Sequence, residues 1–227
     1  MPPNPRLLIC DSDALIQLFI ANELRPLKDL KNLYGIQPVV VQEVDIELRW
    51  LGHHRDRFVL QLDKAMKNGL VTRLDKPLFQ SLVSAAPAGA SWSAFQSIGA
   101  QYAGYVDKGE AYTHAAGVVL GVPTVSNDFR AIQLLQTQMM NLPAPVLRSF
   151  DLLAFALTSG TLAIQDCEKA RSALLAAGEW VAKDFKNTSF QGGLSSFTCR
   201  LKESSSTGAA PPPTPAKFSD TLFINKI

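Results

Sequence analysis

A chain of 227 residues that is 47% hydrophobic and 19% charged can bury the core of one ample domain with extensions, or of two small ones, and this excludes global disorder. Its formal net charge of +2, with a sequence pI near 8.4, permits contact with nucleic acid but lacks the basic excess of a dedicated binder. Cys10, Cys167 and Cys199 are scattered and have no zinc-ligand spacing, and neither a secretory leader nor a run long enough to cross a membrane is visible. A reduced, soluble, cytoplasmic protein with no membrane partner is therefore expected.

The first apolar run, Leu7-Leu8-Ile9-Cys10, lacks alternation and reads as a strand buried on both faces, the habit of a parallel sheet. It stops in Asp11-Ser12-Asp13, and Ala14 to Phe19 follows as a helix. Leu27 to Leu33 makes another short helix, ended by Tyr34-Gly35, and Ile36 to Val39 makes a second strand. Val40, Val44, Leu48 and Leu51 recur at helical spacing, which predicts an amphipathic helix with Pro38 near its start and Glu43 in its early turns. Arg55 to Asn68 is helical and closed by Gly69, Leu70 to Leu74 is a strand, and Ala85 to Ala90 is a loop. Ser91 is placed to cap a helix carrying Trp92, Phe95, Ile98, Tyr102 and Tyr105, whose helical recurrence favours core over a base-stacking platform.

Asp107-Lys108-Gly109-Glu110 then opens a small-residue helix that runs to Leu120, is suited to close packing on a sheet, and is ended by Gly121 and Pro123. Pro123 to Ser126 is a short strand finishing in Asn127-Asp128. Phe129 to Gln138 is a helix, Pro145 to Leu147 a last strand, and Phe150 to Leu157 a helix. Short strands alternating with helices predict a parallel α/β sheet. Past Ser159-Gly160 the pattern changes, and Thr161 to Lys183 reads as one Ala-rich helix able to cover the sheet or meet a partner. From Asn187, Gly192-Gly193 and the Ser, Thr, Ala and Pro-rich stretch Glu203 to Pro215 read as linker, before an apolar tail from Phe218 to Ile227. The expected organisation is a domain over 1–157, a helical extension over 158–186, and linker with tail over 187–227.

The acidic residues of this pattern fall at strand ends and helix starts. Asp11 stands where the first strand stops, and Asp128 follows the strand after Gly121. Glu110 opens the helix that runs back before that strand, and Glu43 lies early in the helix after the second strand. Open α/β sheets bind ligands outside the carboxyl ends of their strands. Four carboxylates far apart in the chain are thus expected at one rim. Like charges so close raise one another's pKa values and oppose folding unless a cation neutralises them. Mg²⁺ prefers carboxylate oxygens and is completed by waters and phosphate oxygens. Taken singly, each carboxylate can instead be a helix N-cap or dipole partner, and the argument for a metal site rests on the set.

Over residues 6–157 the chain resembles the PIN-domain nucleases. The segments that carry the resemblance are Leu7 to Ile16 with its Asp11-Ser12, Pro38 to Val44 with a Pro five positions before Glu43, Asp107 to Ala111 with Gly109-Glu110, and Ser126-Asn127-Asp128. Asp13 stands where Asn or Ser is commoner in that family, and Asn127 stands at a position often charged in it. The resemblance implies a three-layer α/β sandwich and a metal-dependent endoribonuclease. Asp11, Glu110 and Asp128 would ligate Mg²⁺ or Mn²⁺, and Glu43 would ligate the metal or orient the attacking water. It also implies RNA as substrate and, for toxin members of toxin–antitoxin pairs, an antitoxin protein and a homodimer as partners.

Other residues keep two readings. Ser12 and Ser126 either fix the carboxylates or serve as turn and cap residues, and Asp13 is either a ligand or the first helix's N-cap. His114, one turn after Glu110, reads as a packed helix residue rather than a ligand. His53-His54 with Arg49, Arg55 and Arg57 form a basic cluster, solvated or touching phosphate, and Asp45 and Glu47 read as solvated or paired with arginines. Two competing functions stand beside the nuclease. Asp11-Ser12-Asp13 also resembles the nucleophile motif of haloacid-dehalogenase-like phosphatases, although Leu15 and Asn127-Asp128 fit that family poorly. A non-catalytic interaction module that recruits a partner through its tail is the other.

Overall fold

The computed structural model describes residues 6–50, 55–138, 146–197 and 199. Among them, five parallel strands form one sheet flanked by helices, a three-layer α/β arrangement. The strands are β1 (Arg6–Cys10), β2 (Ile36–Val41), β3 (Thr72–Leu74), β4 (Thr124–Val125) and β5 (Val146–Leu147), in the spatial order β3-β2-β1-β4-β5. β1 is central: Ile9 lies opposite Val39 of β2 on one side and Thr124 of β4 on the other. Leu7 to Cys10 are all buried, because a strand with neighbours on both edges and helices on both faces has no solvent side.

The helices that matter for the rim are α1 (Ser12–Ile20), α2 (Arg25–Tyr34), α3 (Gln42–Arg49), α4 (Arg55–Lys67), α5 (Lys76–Leu82), α6 (Trp92–Tyr102), α7 (Lys108–Leu120), α8 (Phe129–Gln138) and α9 (Ser149–Thr158). Ser91 caps α6 as expected, its hydroxyl accepting from Ala94 N at 3.1 Å, and Gly121 closes α7 in the left-handed region. Ala111, Ala115 and Ala116 of α7 are fully buried, so this small-residue helix does pack close. The boundary between β2 and α3 differs from the sequence reading. Val39, Val40 and Val41 continue the strand, paired with Thr72, Arg73 and Leu74, and α3 begins only at Gln42. Three consecutive β-branched side chains favour the pleated, doubly buried position over a helical start, which leaves Pro38 inside the strand rather than at the helix N-terminus.

The C-terminal part also departs from expectation. The single helix over Thr161 to Lys183 is shorter, α10 (Ile164–Ala176), and Gly178 at φ 73° turns the chain out of it. The stretch read as linker begins with structure: short helices α11 (Lys183–Lys186) and α12 (Phe190–Leu194) fold back on α9. Phe185 and Phe190 stack with centroids 4.5 Å apart beneath Phe150, all three fully buried. Burying each such ring stabilises by about 1.5–3 kcal/mol, enough to order a stretch that contains two glycines. Gly193 is itself required, because a Cβ there would overlap Phe185 and the Asp184 carbonyl. This second apolar cluster rests against Ile20 and Ala21 at the end of α1. Among the described residues no helix is long and apolar enough to cross a membrane. The His53-His54 pair, the Glu203 to Pro215 stretch and the apolar tail lie outside the described residues.

Candidate active site

The strand order dictates where a site can form. The chain lays β2 and β3 successively to one side of β1, then returns to lay β4 and β5 on the other. Beyond the carboxyl ends of β1 and β4 the loops therefore diverge and leave a crevice. Asp11 is the first residue past β1, and its N–H donates to Val125 O at 2.9 Å, clamping the end of β1 to β4. Ser126, Asn127 and Asp128 are the first residues past β4, and Ser126 N–H donates to Leu147 O of β5 at 3.0 Å. Both loops are held in place by the backbone ladder.

Two helices bring further carboxylates to the same edge. Glu110 sits in the first turn of α7, and its Oε1 accepts from the Ser126 hydroxyl at 2.7 Å. Asp13, in the first turn of α1, does not cap that helix. Its carboxylate accepts from Asn127 N–H at 3.0 Å and 3.2 Å, joining the two loops across the crevice. Asp128 caps α8, its Oδ1 accepting from Arg130 N at 2.7 Å and Ala131 N at 3.2 Å, while it stays solvent-exposed beside Glu110. Asp107, just before α7, lines a cleft of about 440 Å³ together with Asp128, Arg130 and Tyr105.

Glu47 is the residue that sequence reasoning missed. It was expected to be solvated or paired with an arginine, and instead it turns toward the rim. It is hydrogen-bonded by Ser12 and feels Asp107 and Glu110. Its Oε2 is buried without a hydrogen-bond partner, against Gly109, where any Cβ would overlap that oxygen. Gly109 thus leaves room for the Glu47 carboxylate between α3 and α7. Glu43, one turn earlier on α3, is placed beside Tyr112, whose phenol is pushed up first by burial and then by that carboxylate. The signal available in the sequence was the repeat of Glu at one-turn spacing alongside Val44 and Leu48, which makes Glu43 and Glu47 equal candidates once the helix start moves to Gln42.

The electrostatics of the group are one-sided. Burial holds the Asp11 carboxyl well above the usual carboxylate range, and Asp13, Glu110 and Glu47 add to it against a hydrogen bond from Ser12 N–H. Asp13 is pushed up to about 7, by burial and then Glu110, against the N–H groups of Asn127 and Ala14. Glu110 is pushed up to about 8, again by burial first, with Asp128 and Asp107 adding and the Ser126 hydroxyl opposing. His114 lies 3.5 Å from Glu110 but supplies no positive charge, because burial lowers it to about 4. Its Nδ1 is 3.3 Å from Thr124 Oγ1, and its Nε2, facing Glu110, is buried without a hydrogen-bond partner.

Among the described residues no group of three or more acidic, His or Cys side chains closes on a common point as a finished metal cage. The donor set nonetheless fits a hard divalent cation. It is all oxygen, it is uncompensated, and Asp11 Oδ1 and Glu47 Oε2 are buried with no hydrogen-bond donor. Of the residues the sequence pointed to, the fold brings Asp11, Glu110 and Asp128 together with Asp13, Ser12 and Ser126, and it adds Glu47 and Asp107. No family model, no curated protein and no solved structure matches the chain.

Proposed function

We propose that the chain is a divalent-metal-dependent endoribonuclease of the PIN-like kind, hydrolysing RNA phosphodiester bonds at the crevice between β1 and β4. The observation that carries the reading is the convergence of carboxylates from four separate segments on one crevice, with no cation among the described residues lowering the raised pKa values of Asp11, Asp13, Glu47 and Glu110. The order of motifs around Asp11, Glu110 and Asp128 supports the family and, through it, the RNA substrate.

Asp11, Glu110 and Asp128 would hold Mg²⁺ or Mn²⁺, with Glu47 taking the part expected of Glu43. The bound ion would supply a water of lowered pKa and neutralise charge growing on the phosphate oxygens. The chain's own groups do the positioning. The Ser126 hydroxyl fixes Glu110, and Asn127 N–H fixes Asp13, so neither carboxylate can swing away from the rim. Arg130, on the cleft shared with Asp107 and Asp128, is placed to hold a phosphate of the substrate. The phosphatase reading has only Asp11-Ser12-Asp13 behind it, since Leu15 and Asn127-Asp128 fit that family poorly. An antitoxin partner, a homodimer and a cytoplasmic site of action belong to the same proposal and rest on the toxin members of the family.

Cleavage of defined RNA and DNA oligonucleotides with Mg²⁺ or Mn²⁺ tests this directly. Metal-dependent cutting of RNA that disappears in Asp11→Asn and Asp128→Asn proteins is the expected result. Equal cutting by the parent and both variants would remove the reading.

A further inference from the structure

A second cavity, of about 1010 Å³, opens beside the carboxylate crevice. Phe129 lines it, while Asp128 and Arg130 on either side of that residue line the smaller cleft. In this cavity the Arg148 guanidinium lies 5.4 Å from the Phe129 ring centroid and 5.3 Å from that of Trp180. The guanidinium is thus near both rings, and the rings remain open to solvent, Phe129 at 57% and Trp180 at 37% exposure. Large aromatic side chains are seldom left so open, and an arginine among them adds both charge and a further stacking plane. Lys183 and Lys186, both exposed, line the same cavity. With Arg148 they set three positive groups against Glu179 and Asp184.

The cavity wall is tied to the crevice by a chain of hydrogen bonds. Gln17 Nε2 donates to Trp180 O at 2.9 Å, and the Ser149 hydroxyl donates to Gln17 Oε1 at 2.6 Å. Ser149 N–H donates to Asn127 Oδ1 at 3.0 Å, and Asn127 N–H in turn donates to Asp13. The backbone at Trp180 is thereby fixed relative to the carboxylates.

We propose that this cavity is a strand-binding subsite for single-stranded RNA. An unpaired base stacks on an exposed ring of the Phe129–Arg148–Trp180 cluster, and neighbouring phosphates are taken by Lys183 and Lys186. The inference rests on the nuclease reading for its choice of ligand and extends it by naming unpaired RNA and by giving the C-terminal helices a role. Stacking needs a splayed base, which a duplex does not offer, and lysines near an aromatic platform are the usual means of tracking a single-stranded backbone. An acidic peptide would use the lysines but would have no use for the exposed rings.

The test is fluorescence anisotropy of a short labelled oligouridylate in EDTA, where hydrolysis is silent, followed by cleavage kinetics with Mn²⁺. Phe129→Ala should weaken single-strand binding about tenfold and raise KM with little change in kcat. The exposed pair Lys183→Ala/Lys186→Ala, which puts no buried contact at risk, should make the dependence of log affinity on log salt shallower by about 1.4. A duplex of the same length should bind weakly and respond little to Phe129→Ala. Parent-like affinity and salt slope in both variants would overturn the proposal, as would oligoglutamate competing as well as RNA. Cleavage by the parent with KM unchanged in both variants would sink the subsite and leave the nuclease standing. Single-strand binding lost in the variants, with no cleavage by the parent, would do the reverse.

Discussion

Helix α3 carries the carboxylates Asp45 and Glu47, two residues apart, whose surroundings are opposite. Asp45 is buried and met by two arginines, Arg49 at 2.8 Å and Arg73 at 3.2 Å, and Arg49 also reaches Asp63 at 2.7 Å. Glu47 turns to the other side of the helix, toward Asp11, Asp107 and Glu110, and keeps one buried oxygen with no donor. The same fold that satisfies one carboxylate from within leaves its neighbour's group of acids to be satisfied from outside. That difference separates a structural ion-pair network from a candidate site, because burying like charges without a partner is costly.

Substitutions on the two sides should therefore behave in opposite ways. The largest effect is expected at the crevice: Asp11→Asn should lower the RNA cleavage rate about a thousandfold, which is about 4 kcal/mol of barrier. The same change should raise the melting temperature in EDTA, since it removes a buried carboxyl from an acidic cluster. Next, Glu47→Gln should cost about a hundredfold in rate, and Glu43→Gln less than about fivefold. Equal losses in steady-state cleavage would return Glu43 to the site. On the other side of the helix, Asp45→Asn should leave the rate per folded molecule near the parent's. It should destabilise by about 1–2 kcal/mol in urea unfolding, below the usual value for a broken buried pair because both arginines are part-exposed.

How much of this could be read from the chain depended on which force decided each element. The doubly buried strand Leu7 to Cys10, the cap at Ser91 and the stop at Gly121 are local, and residue chemistry alone specifies them. The start of α3 was decided by β-pairing of Val39 to Val41 with β3, a tertiary effect that periodicity does not carry. The shift made Glu47 a candidate for the rim beside Glu43. Asp13 in the first turn of α1 looks like a cap in sequence, but the partner that claims it, Asn127 N–H, lies over a hundred residues away. The stretch from Asn187 is rich in small and polar residues, and only the stacking of Phe185 and Phe190 under Phe150 explains why its first part folds. Asp11, Glu110 and Asp128 were legible because strand ends in a parallel sheet share one edge whatever the details of packing.

A smaller effect tests the room left for Glu47 between α3 and α7. Gly109→Ala sets a methyl group against Glu47 Oε2, the end of a flexible side chain, so the carboxylate should turn aside and part of the activity should be lost with little change in thermal unfolding. The same acids make stability depend on pH. Asp13 and Glu110 have folded-state values of about 7 and about 8, above those of the unfolded chain, so the folded protein binds more protons through the intervening range. Their contribution is fully present below about pH 4 and is lost as pH rises toward 8. The melting temperature in EDTA should thus fall between pH 5 and pH 8, and added Mg²⁺ should restore it more at pH 8, where protons no longer compete.

The central claim is that the uncompensated acids at the β1–β4 crevice hold a divalent cation. Calorimetric titration of Mn²⁺ into the protein near pH 8 tests it most directly. Saturable binding accompanied by proton release, abolished in Asp11→Asn and retained in Asp45→Asn, is the result expected. Absence of saturable binding, or binding that survives Asp11→Asn unchanged, would contradict it.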